Sequence, residues 1–373
     1  MNDVAGTGQR PRCRDVGLII GQMEPGPLNA ITDVPGVMVG HSTIIRGEGA
    51  LVPGQGPVRT GVTVILPHPG NVFKDKVRGA IHVINGFGKA TGIAQVQELG
   101  VIETPIALTN TLSVGTVWDA VCEYTLEQNP EIGVTTGTLN PVVLECNDGY
   151  LNDIRGRHVK KEHVFEALGA SRTGIVDEGN VGAGTGMSCL GFKGGIGTSS
   201  RRLPCGLSAA TVGVLVLANF GRLENLLIKG VPVGLELQKY VEDSDSTPPG
   251  SVVVVVATDA PLSERQLLRV AKRCMGGLAR VGSAFANGSG DFVVAFSTKN
   301  KVSHWGCGEE QVSFVRDDSP VLGAVFQAAV EATEEAVLNA LFRARTMVGR
   351  DNHIRAGIPI DKVCEILRRF HAM

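Results

Sequence analysis

The chain has 373 residues, of which 43% are hydrophobic and 19% are charged, and its formal net charge is −2. This length is enough for one large layered α/β domain or for two smaller domains. The near-neutral charge, with no basic block, argues against nucleic acid or an anionic membrane as a partner.

The spacing of cysteines and histidines indicates whether the chain has a metal site and in which redox compartment it lies. The eight cysteines never approach CxxC spacing, and the eight histidines form no HExxH motif. Such cysteines are typical of small buried hydrophobes in a reducing compartment. The N-terminus has no charged stretch followed by a long apolar one, and no run reaches 18 apolar residues. We therefore expect a cytoplasmic protein with neither a metal site nor a membrane segment.

The first half of the chain alternates strand and helix patterns. Residues 1–30 are polar and rich in Gly and Pro, which predicts an arm lying on a neighbouring surface. Downstream, β-branched apolar runs predict strands, and helical periodicity predicts helices. The predicted strands lie within 33–41, 61–67, 80–85, 141–150, 179–197 and 208–218, and the predicted helices lie within 92–99, 111–127 and 159–168.

Two glycine-rich turns have some features of dinucleotide-binding loops. Residues 86–92 read GFGKATG, which is GxGxxxG rather than GxGxxG, and no acidic residue follows a clear second strand about 20 residues later. Residues 182–187 read GAGTGM, with methionine in place of the third glycine. These departures favour turns that pack closely on a sheet. A nucleotide-binding module is the alternative.

Two polar residues stand at the ends of apolar strands. Glu145 continues the strand in 141–150, where a carboxylate is expensive to bury unless a partner pairs with it. It either turns to solvent or lies in a pocket that binds a cation such as a substrate α-ammonium. Asn219 follows the strand in 208–218 and precedes Phe-Gly. Its amide either forms an ordinary turn or donates a hydrogen bond to a developing oxyanion.

The segment around Gly250 and Ser251 carries the clearest chemical pattern. Ser251 begins a run that continues with five valines, and this β-branched run predicts a buried strand. Residues 242–247 are acidic and polar, as in an exposed loop, and Pro248 and Pro249 stiffen the approach. A Gly–Ser bond therefore stands where a solvated loop meets a buried strand.

This position suits a self-cleavage reaction. The hydroxyl of Ser251 attacks the carbonyl carbon of Gly250, the peptide shifts to an ester, and water then cuts the chain. Gly250 has no Cβ to block the approach and tolerates strained backbone angles. After cleavage, Ser251 carries a hydroxyl nucleophile and a free α-amino group, whose pKa of about 7.7–8.0 lets it act as a base. The alternative is that Ser251 merely begins a strand.

A serine and an aspartate follow in a second glycine-rich turn. Ser289 and Asp291 lie two residues apart just before a predicted strand at 292–297, so their side chains can point the same way. Such a pair can hydrogen-bond and orient a nearby nucleophile. A polar hairpin turn is the alternative.

The remaining pattern is helical. Ser263 and Gln266 match a capping box that begins one helix, and further helices are predicted from 319 to 344 and from 359 to 371. No repeat and no linker divides the chain. We therefore expect one layered α/β domain over residues 1–373, in which 1–250 and 251–373 interleave.

Five segments, taken in order, resemble the DmpA-type self-processing serine aminopeptidases, the L-aminopeptidase/D-esterase family that includes the β-peptidyl aminopeptidases. They are LNAITDVPGV at 28–37, ECND at 145–148, LANFG at 217–221, the Gly250-Ser251 pair, and GSGD at 288–291. The resemblance covers nearly the whole chain. It implies a four-layer α/β/β/α sandwich, like that of N-terminal-nucleophile hydrolases but with its own connectivity. It also implies cleavage after residue 250 into two chains that stay associated, and a homotetramer of such pairs.

The resemblance also implies roles for the residues singled out above. Ser251 is the expected nucleophile for both self-cleavage and substrate hydrolysis, and Asn219 is the expected oxyanion donor. Ser289 and Asp291 are expected to orient Ser251 and its amine, although some relatives have Glu at the position of Asp291.

The expected activity follows from these roles. Glu145 is expected to bind the substrate amino group, and Tyr150 is a further candidate for the catalytic site. The chain is then an aminopeptidase, amidase and esterase that acts on short substrates with a free amino terminus, through an acyl-enzyme and without a metal or organic cofactor. An acyltransferase on a similar self-processed scaffold is the alternative. The serine nucleophile argues against it, because the ornithine acetyltransferases of comparable architecture look to use threonine.

Overall fold

The computed structural model describes residues 9–240, 250–306 and 308–373. The predicted loop at 242–247, Pro248, Pro249 and the first eight residues of the predicted arm lie outside the described residues. The strands are β1 (Met38–Arg46), β2 (Val58–Leu66), β3 (Asp75–Gly86), β4 (Val101–Ile102), β5 (Ile106–Asn110), β6 (Val142–Cys146), β7 (Ser188–Cys189), β8 (Phe192–Lys193), β9 (Gly195–Arg202), β10 (Thr211–Asn219), β11 (Ser251–Thr258), β12 (Gly290–Ser303), β13 (Met347–Val348) and β14 (Ile354–Arg355). The α-helices are α1 (Ile93–Leu99), α2 (Val114–Gln128), α3 (Lys161–Gly169), α4 (Val233–Leu237), α5 (Glu264–Arg280), α6 (Pro320–Arg343) and α7 (Ile360–Arg369).

Two sheets form the centre of the molecule. One has four strands in the order β1-β2-β5-β6, and the other has six in the order β4-β3-β12-β11-β10-β9. The sides that face each other are apolar, and Leu144, Leu217 and Val253 are among the fully buried residues between them. Because side chains alternate along a strand, Ser251 points the same way as Val253 and Val255, into the space between the sheets.

Helices cover the outer face of each sheet. α2 and α3 pack on the four-stranded sheet, and α5 and α6 pack on the six-stranded sheet. α5 begins with the predicted capping box, in which the backbone N–H of Gln266 donates to Ser263 Oγ at 3.3 Å and that of Ser263 donates to Gln266 Oε1 at 3.1 Å. The order of layers is α/β/β/α, which confirms the predicted sandwich.

Three neighbouring strands bring the candidate residues to one end of the six-stranded sheet. β10 and β11 are antiparallel, and Asn219 at the end of β10 lies opposite Ser251 at the start of β11. β11 and β12 are parallel, and Val252 lies opposite Asp291. The end of one strand and the starts of two others therefore meet at the Gly250–Ser251 bond.

Some features differ from the sequence prediction. The short elements β4, β5, α4, β13 and β14 were not predicted, because runs of two to five residues are too short to show a clear periodicity. The arm does not simply lie on a surface, since Arg12 reaches the buried Glu178 at 2.9 Å and Arg14 reaches the buried Glu335 at 2.9 Å. Within the described ranges, no helix is long and apolar enough to cross a membrane.

Candidate active site

Ser251 presents a buried hydroxyl that the fold does not use. The residue is 6% exposed, and its Oγ has no hydrogen-bond partner among the described residues. A buried polar group without a partner costs about 1–3 kcal/mol, so native structures keep few of them. The neighbouring thiol belongs to Cys146, and burial raises its pKa well above the ordinary value, while the proximity of the Ser251 hydroxyl lowers it; the two side chains nevertheless lack the geometry of a hydrogen bond. The Ser251 hydroxyl is therefore desolvated and available for chemistry.

The residue before Ser251 must be glycine because β10 lies so close. A Cβ on Gly250 would lie 1.8 Å from the carbonyl oxygen of Asn219 and 2.6 Å from Cα of Phe220. The φ of Gly250 lies outside the left-handed region, so the requirement is for space and not for a strained backbone angle. Gly250 and Ser289 also line a cleft of about 720 Å³.

The side-chain amide of Asn219 is held at both ends. Its Oδ1 accepts a hydrogen bond from the backbone N–H of Ser188 at 2.8 Å, and its Nδ2 donates to the carbonyl oxygen of Asn147 at 3.0 Å. A backbone N–H can only donate, so the contact with Ser188 fixes which end of the amide carries the oxygen. The amide nitrogen has two N–H groups, and Asn147 uses one of them. The other can serve an oxyanion formed next to Ser251.

Ser289 and Asp291 form a buried pair at the start of β12. The Ser289 hydroxyl donates to Asp291 Oδ1 at 2.6 Å, and Asp291 Oδ2 has no partner within the described part of the chain. Burial raises the pKa of Asp291 to about 6, whereas the hydrogen bonds from the Ser289 side chain and with the Val252 backbone lower it. The predicted pair therefore exists as a hydrogen-bonded unit beside the strand that begins with Ser251.

Buried carboxylates divide into two groups by their partners. Of the nine in the described ranges, Asp153 is hydrogen-bonded to His158, and five form ion pairs with Lys or Arg: Glu103, Glu178, Glu331, Glu334 and Glu335. The other three are Glu145, Asp148 and Asp291, which form no ion pair with a described residue. Glu145 precedes Cys146, which neighbours Ser251, and Asp148 follows Asn147, which accepts from Asn219. Asp291 lies opposite Val252, so all three carboxylates lie around Ser251 and Asn219. A buried carboxylate without a cation is expensive, and groups of this kind concentrate at functional sites.

Glu145 is held by neutral donors that leave acceptor capacity free. It is 3% exposed, its Oε1 accepts from the backbone N–H of Lys89 at 2.9 Å, and its Oε2 accepts from the hydroxyl of Thr111. An ionised carboxylate has about four acceptor positions, so about two remain. This arrangement suits an ammonium group. Sequence reasoning missed Thr111 and Lys89 because nothing in their local pattern links them to Glu145.

Asp148 and Lys193 are buried polar groups next to Asn147 and Ser188, the two residues that contact Asn219, and sequence reasoning gave them no role. Burial raises the pKa of Asp148 to about 7, and its Oδ1 accepts from Asn152 Nδ2 at 2.9 Å. Burial lowers the pKa of Lys193 to about 7, and its ammonium donates to two backbone carbonyl oxygens at 2.8 and 2.9 Å. Lys193 is the strand partner of Ser188, the residue that orients Asn219.

Tyr150 also lies close to the residues that contact Asn219. The Tyr150 ring stacks on the His353 ring with centroids 4.6 Å apart, and the Arg355 guanidinium lies 3.7 Å from the centroid of the Tyr150 ring. Arg355 in turn donates to Ser188 Oγ at 3.1 Å. Tyr150 is thus connected to Asn219 through its neighbours, and its predicted catalytic role stays a prediction.

The glycine-rich turn at 86–92 packs on the sheet, so the nucleotide alternative is wrong. A Cβ on Gly290 would lie 2.7 Å from backbone atoms of Gly88, which shows how closely the turn approaches β12. The backbone N–H of Lys89 donates to the carboxylate of Glu145. A phosphate bound to this turn would lie next to the negatively charged Glu145 carboxylate, which already accepts the hydrogen bond from the Lys89 N–H. In the described ranges no group of three or more His, Cys, Asp or Glu residues is placed to hold a metal.

The comparisons with known proteins agree along almost the whole chain. Residues 29–355 match the model of peptidase family S58. The chain is 41% identical over 382 residues to the β-peptidyl aminopeptidase BapA of Sphingosinicella microcystinivorans, covering 99% of this chain and 95% of that protein. A solved structure from Pyrococcus horikoshii matches with a TM-score of 0.93 and 53% identity, covering 97% of this chain and 100% of the other.

A second solved structure is informative about the fold. The L-aminopeptidase D-Ala-esterase/amidase of Ochrobactrum anthropi matches with a TM-score of 0.90 and 38% identity, covering 97% of this chain and 99% of that one. That enzyme is described as a prototype for the serine aminopeptidases and as a new variant of the Ntn-hydrolase fold. The likeness confirms the predicted N-terminal-nucleophile-hydrolase-like sandwich. The chain therefore belongs to peptidase family S58, as its resemblance to the DmpA-type serine aminopeptidases predicted.

Proposed function

We propose that this chain is a self-processing aminopeptidase that releases N-terminal residues from short peptides, amides and esters. The observation that carries the proposal is the placement of Ser251. Its buried hydroxyl has no hydrogen-bond partner among the described residues, and it follows a glycine that has no room for a side chain. Asn219 lies across one neighbouring strand, and the Ser289–Asp291 pair begins the other.

The first reaction is cleavage of the chain itself. Ser251 Oγ adds to the carbonyl carbon of Gly250, the C–N bond breaks, and the nitrogen takes up the proton to become the α-amine of Ser251. Water then adds to the resulting ester, which leaves a carboxylate on Gly250 and returns the proton to Oγ. The products are chains 1–250 and 251–373. Interleaving of the strands from both segments in one sheet supports their continued association.

The second reaction uses the group that the first one uncovers. The new α-amine of Ser251 takes the Oγ proton while Oγ attacks the scissile carbonyl of the substrate. Asn219 Nδ2 donates to the developing oxyanion, a contribution typically worth about 2.7–4 kcal/mol. The leaving amine receives the proton, and water hydrolyses the acyl-enzyme. Ser289 and Asp291 orient the α-amine during both steps.

Glu145 accounts for the requirement for a free amino terminus. Its carboxylate is buried, is held by the Lys89 N–H and the Thr111 hydroxyl, and forms no ion pair with a described residue. A substrate ammonium would supply the missing positive charge. The printed functions of the relatives, a β-peptidyl aminopeptidase and an L-aminopeptidase D-Ala-esterase/amidase, agree with this substrate class.

Mass measurement of the purified protein under denaturing conditions tests the proposal. The cut divides 39.2 kDa in the proportion of 250 to 123 residues, which gives fragments of about 26 and 13 kDa. Ser251→Ala should leave one intact and inactive chain with an unchanged fold by circular dichroism. A folded Ser251→Ala chain that still hydrolyses peptide amides would refute the mechanism.

A further inference from the structure

The amide of Asn219 depends on Ser188 for its orientation. Ser188 begins β7, and its backbone N–H donates to Asn219 Oδ1 at 2.8 Å. The terminal torsion of an asparagine is broad and roughly two-fold, so the amide can otherwise turn over. A turned amide would direct its oxygen instead of an N–H toward Ser251. The position of Ser188 therefore decides whether Asn219 presents a donor.

Arg355 fixes Ser188 from the C-terminal part of the chain. Arg355 is 2% exposed, and its Nε donates to Ser188 Oγ at 3.1 Å. Its guanidinium also lies 3.7 Å from the centroid of the Tyr150 ring. The next residue, Ala356, accepts a hydrogen bond from the backbone N–H of Lys193, the strand partner of Ser188, at 2.8 Å. The segment that carries Arg355 is thus bound to the β7–β8 hairpin by both side chain and backbone.

Tyr150 connects the same guanidinium to the other end of the amide. It lies three residues after Asn147, whose carbonyl oxygen accepts from Asn219 Nδ2 at 3.0 Å. Arg355 therefore contacts the support of each end of Asn219, with Ser188 on the Oδ1 side and the 147–150 turn on the Nδ2 side. The buried Arg355 guanidinium is therefore in contact with both supports of the Asn219 amide.

We propose that Arg355 is a positioning residue that holds Ser188 and Tyr150 so that Asn219 presents an N–H to the oxyanion. This inference rests on the proposed function. A planar guanidinium can stack on a ring while it donates in its own plane, which a lysine ammonium does not reproduce. Arg355 belongs to the fragment that begins with Ser251, whereas Ser188, Tyr150 and Asn219 belong to the other fragment. Contact between the two fragments therefore sets the geometry of the oxyanion site.

A double-mutant cycle tests the proposal. The cleaved forms of the wild type, Arg355→Met, Asn219→Ala and the double variant are compared by kcat and KM on one free-amine peptide amide. Arg355→Met should lower kcat about 10- to 100-fold with KM within about threefold, because a misplaced donor is lost in the transition state. The double variant should match Asn219→Ala within about threefold, since a donor cannot be lost twice. Arg355→Lys should recover only part of the loss.

The rate of self-cleavage gives a second readout that needs no cleaved enzyme. The same donor serves both reactions, so freshly made Arg355→Met and Asn219→Ala chains should cleave slowly, and the double variant should cleave no more slowly than Asn219→Ala. Arg280→Met is the control. Arg280 lies in the same fragment and its Nη1 donates to Glu334 Oε2 at 3.2 Å, so it contacts neither Ser188 nor the 147–150 turn. Its effect should multiply with that of Asn219→Ala.

The outcomes separate the inference from the proposed function. If kcat of the double variant falls by the product of the two single losses, Arg355 does not act through Asn219 and the positioning role is overturned. A raised KM with unchanged kcat in Arg355→Met would overturn it too. A lower Tm for Arg355→Met with wild-type kcat would assign the residue to stability alone. Wild-type kcat in Asn219→Ala would instead overturn the proposed oxyanion donor alone, whereas a wild type that hydrolyses no free-amine peptide amide would overturn the proposed function.

Discussion

Asn219 and Ser251 lie opposite each other across the antiparallel β10–β11 ladder. Ser251 points into the space between the sheets, and so does Asn219, because Leu215 and Leu217 on the same face of β10 are buried there. One ladder position therefore sets the spacing between a hydroxyl and an amide donor. The backbone fixes this spacing before any substrate arrives, which is the condition for electrostatic preorganisation.

Gly250→Ala should stop or strongly slow self-cleavage. The added Cβ would lie 1.8 Å from the carbonyl oxygen of Asn219, so the scissile bond must move by more than 1 Å. A displacement of that size typically costs about 10²-fold in rate. The time course of cleavage, followed by denaturing electrophoresis, measures the effect. Gly137→Ala is the control, because a Cβ there meets nothing within 4 Å; equal cleavage rates for both variants would contradict the prediction.

Asn219→Ala should lower kcat about 10²- to 10³-fold with little change in KM, because the lost donor acts on the oxyanion and not on the bound substrate. Steady-state kinetics on the cleaved enzyme measures this split. Asn180→Ala is a matched control, since that amide also makes two backbone hydrogen bonds at 2.9 Å, both to Arg345. A loss confined to KM would show that Asn219 binds substrate instead of stabilising the oxyanion.

Glu145→Gln should strongly reduce the enzyme's preference for substrates with a free amino group. The substitution keeps the shape and removes the charge, and a hydrogen bond to a charged group is worth about 1.5–3 kcal/mol, so the preference should fall about 10- to 100-fold. The measurement is the ratio of kcat/KM for an amino-acid ester to that for its des-amino analogue. Glu103→Gln removes another buried carboxylate, which pairs with Lys76, and should cost stability without changing the ratio. An unchanged ratio in Glu145→Gln would mean that another group binds the ammonium.

Asp291 should make the intact chain less stable as the pH rises from about 4 to 6. Burial raises the folded pKa of Asp291 to about 6, against about 3.9 for an unfolded aspartate. The folded chain therefore binds more protons than the unfolded chain within this window, so the free energy of unfolding falls through it and levels off above it. The difference amounts to about 3 kcal/mol.

Denaturant unfolding of Ser251→Ala with and without Asp291→Asn measures that difference, because an uncut chain adds no new α-amine to the titration. The variant with Asn at position 291 should gain relative stability between pH 4 and 6 and keep the gain above pH 6. Asp177→Asn, at an exposed carboxylate, is the control. A stability difference that does not change with pH, or that grows as the pH falls, would contradict the raised pKa of Asp291.

The sequence predicted the parts of the site that a local pattern reveals. A Gly–Ser bond before five valines, a glutamate inside an apolar strand and a Ser-x-Asp turn each have an ordinary structural alternative, and it was their joint occurrence in order along the chain that pointed to one family. The layered fold was also predictable, because strand and helix patterns alternate clearly along the chain.

The supporting residues were not predictable because they are linked only through the fold. Arg355 and Ser188 are 167 positions apart, and neither lies in an unusual local pattern. Thr111 and Lys89 reach Glu145 from two other elements of the chain. The spatial requirement at Gly250 likewise arises from β10, which is distant in sequence, so the sequence could suggest the need for a missing Cβ but not the strand that imposes it.

The order of strands in the larger sheet predicts how the segments before and after the Gly250–Ser251 bond would behave if they were produced as separate chains. β11 and β12 come from the segment after residue 250, and they lie between β3–β4 on one side and β9–β10 on the other, all from the segment before it. Either half alone would leave unpaired sheet edges along its longest apolar strands, which is a template for aggregation. The halves should therefore reach the native state only by folding as one polypeptide or in each other's presence, and we expect the proposed cut to follow folding.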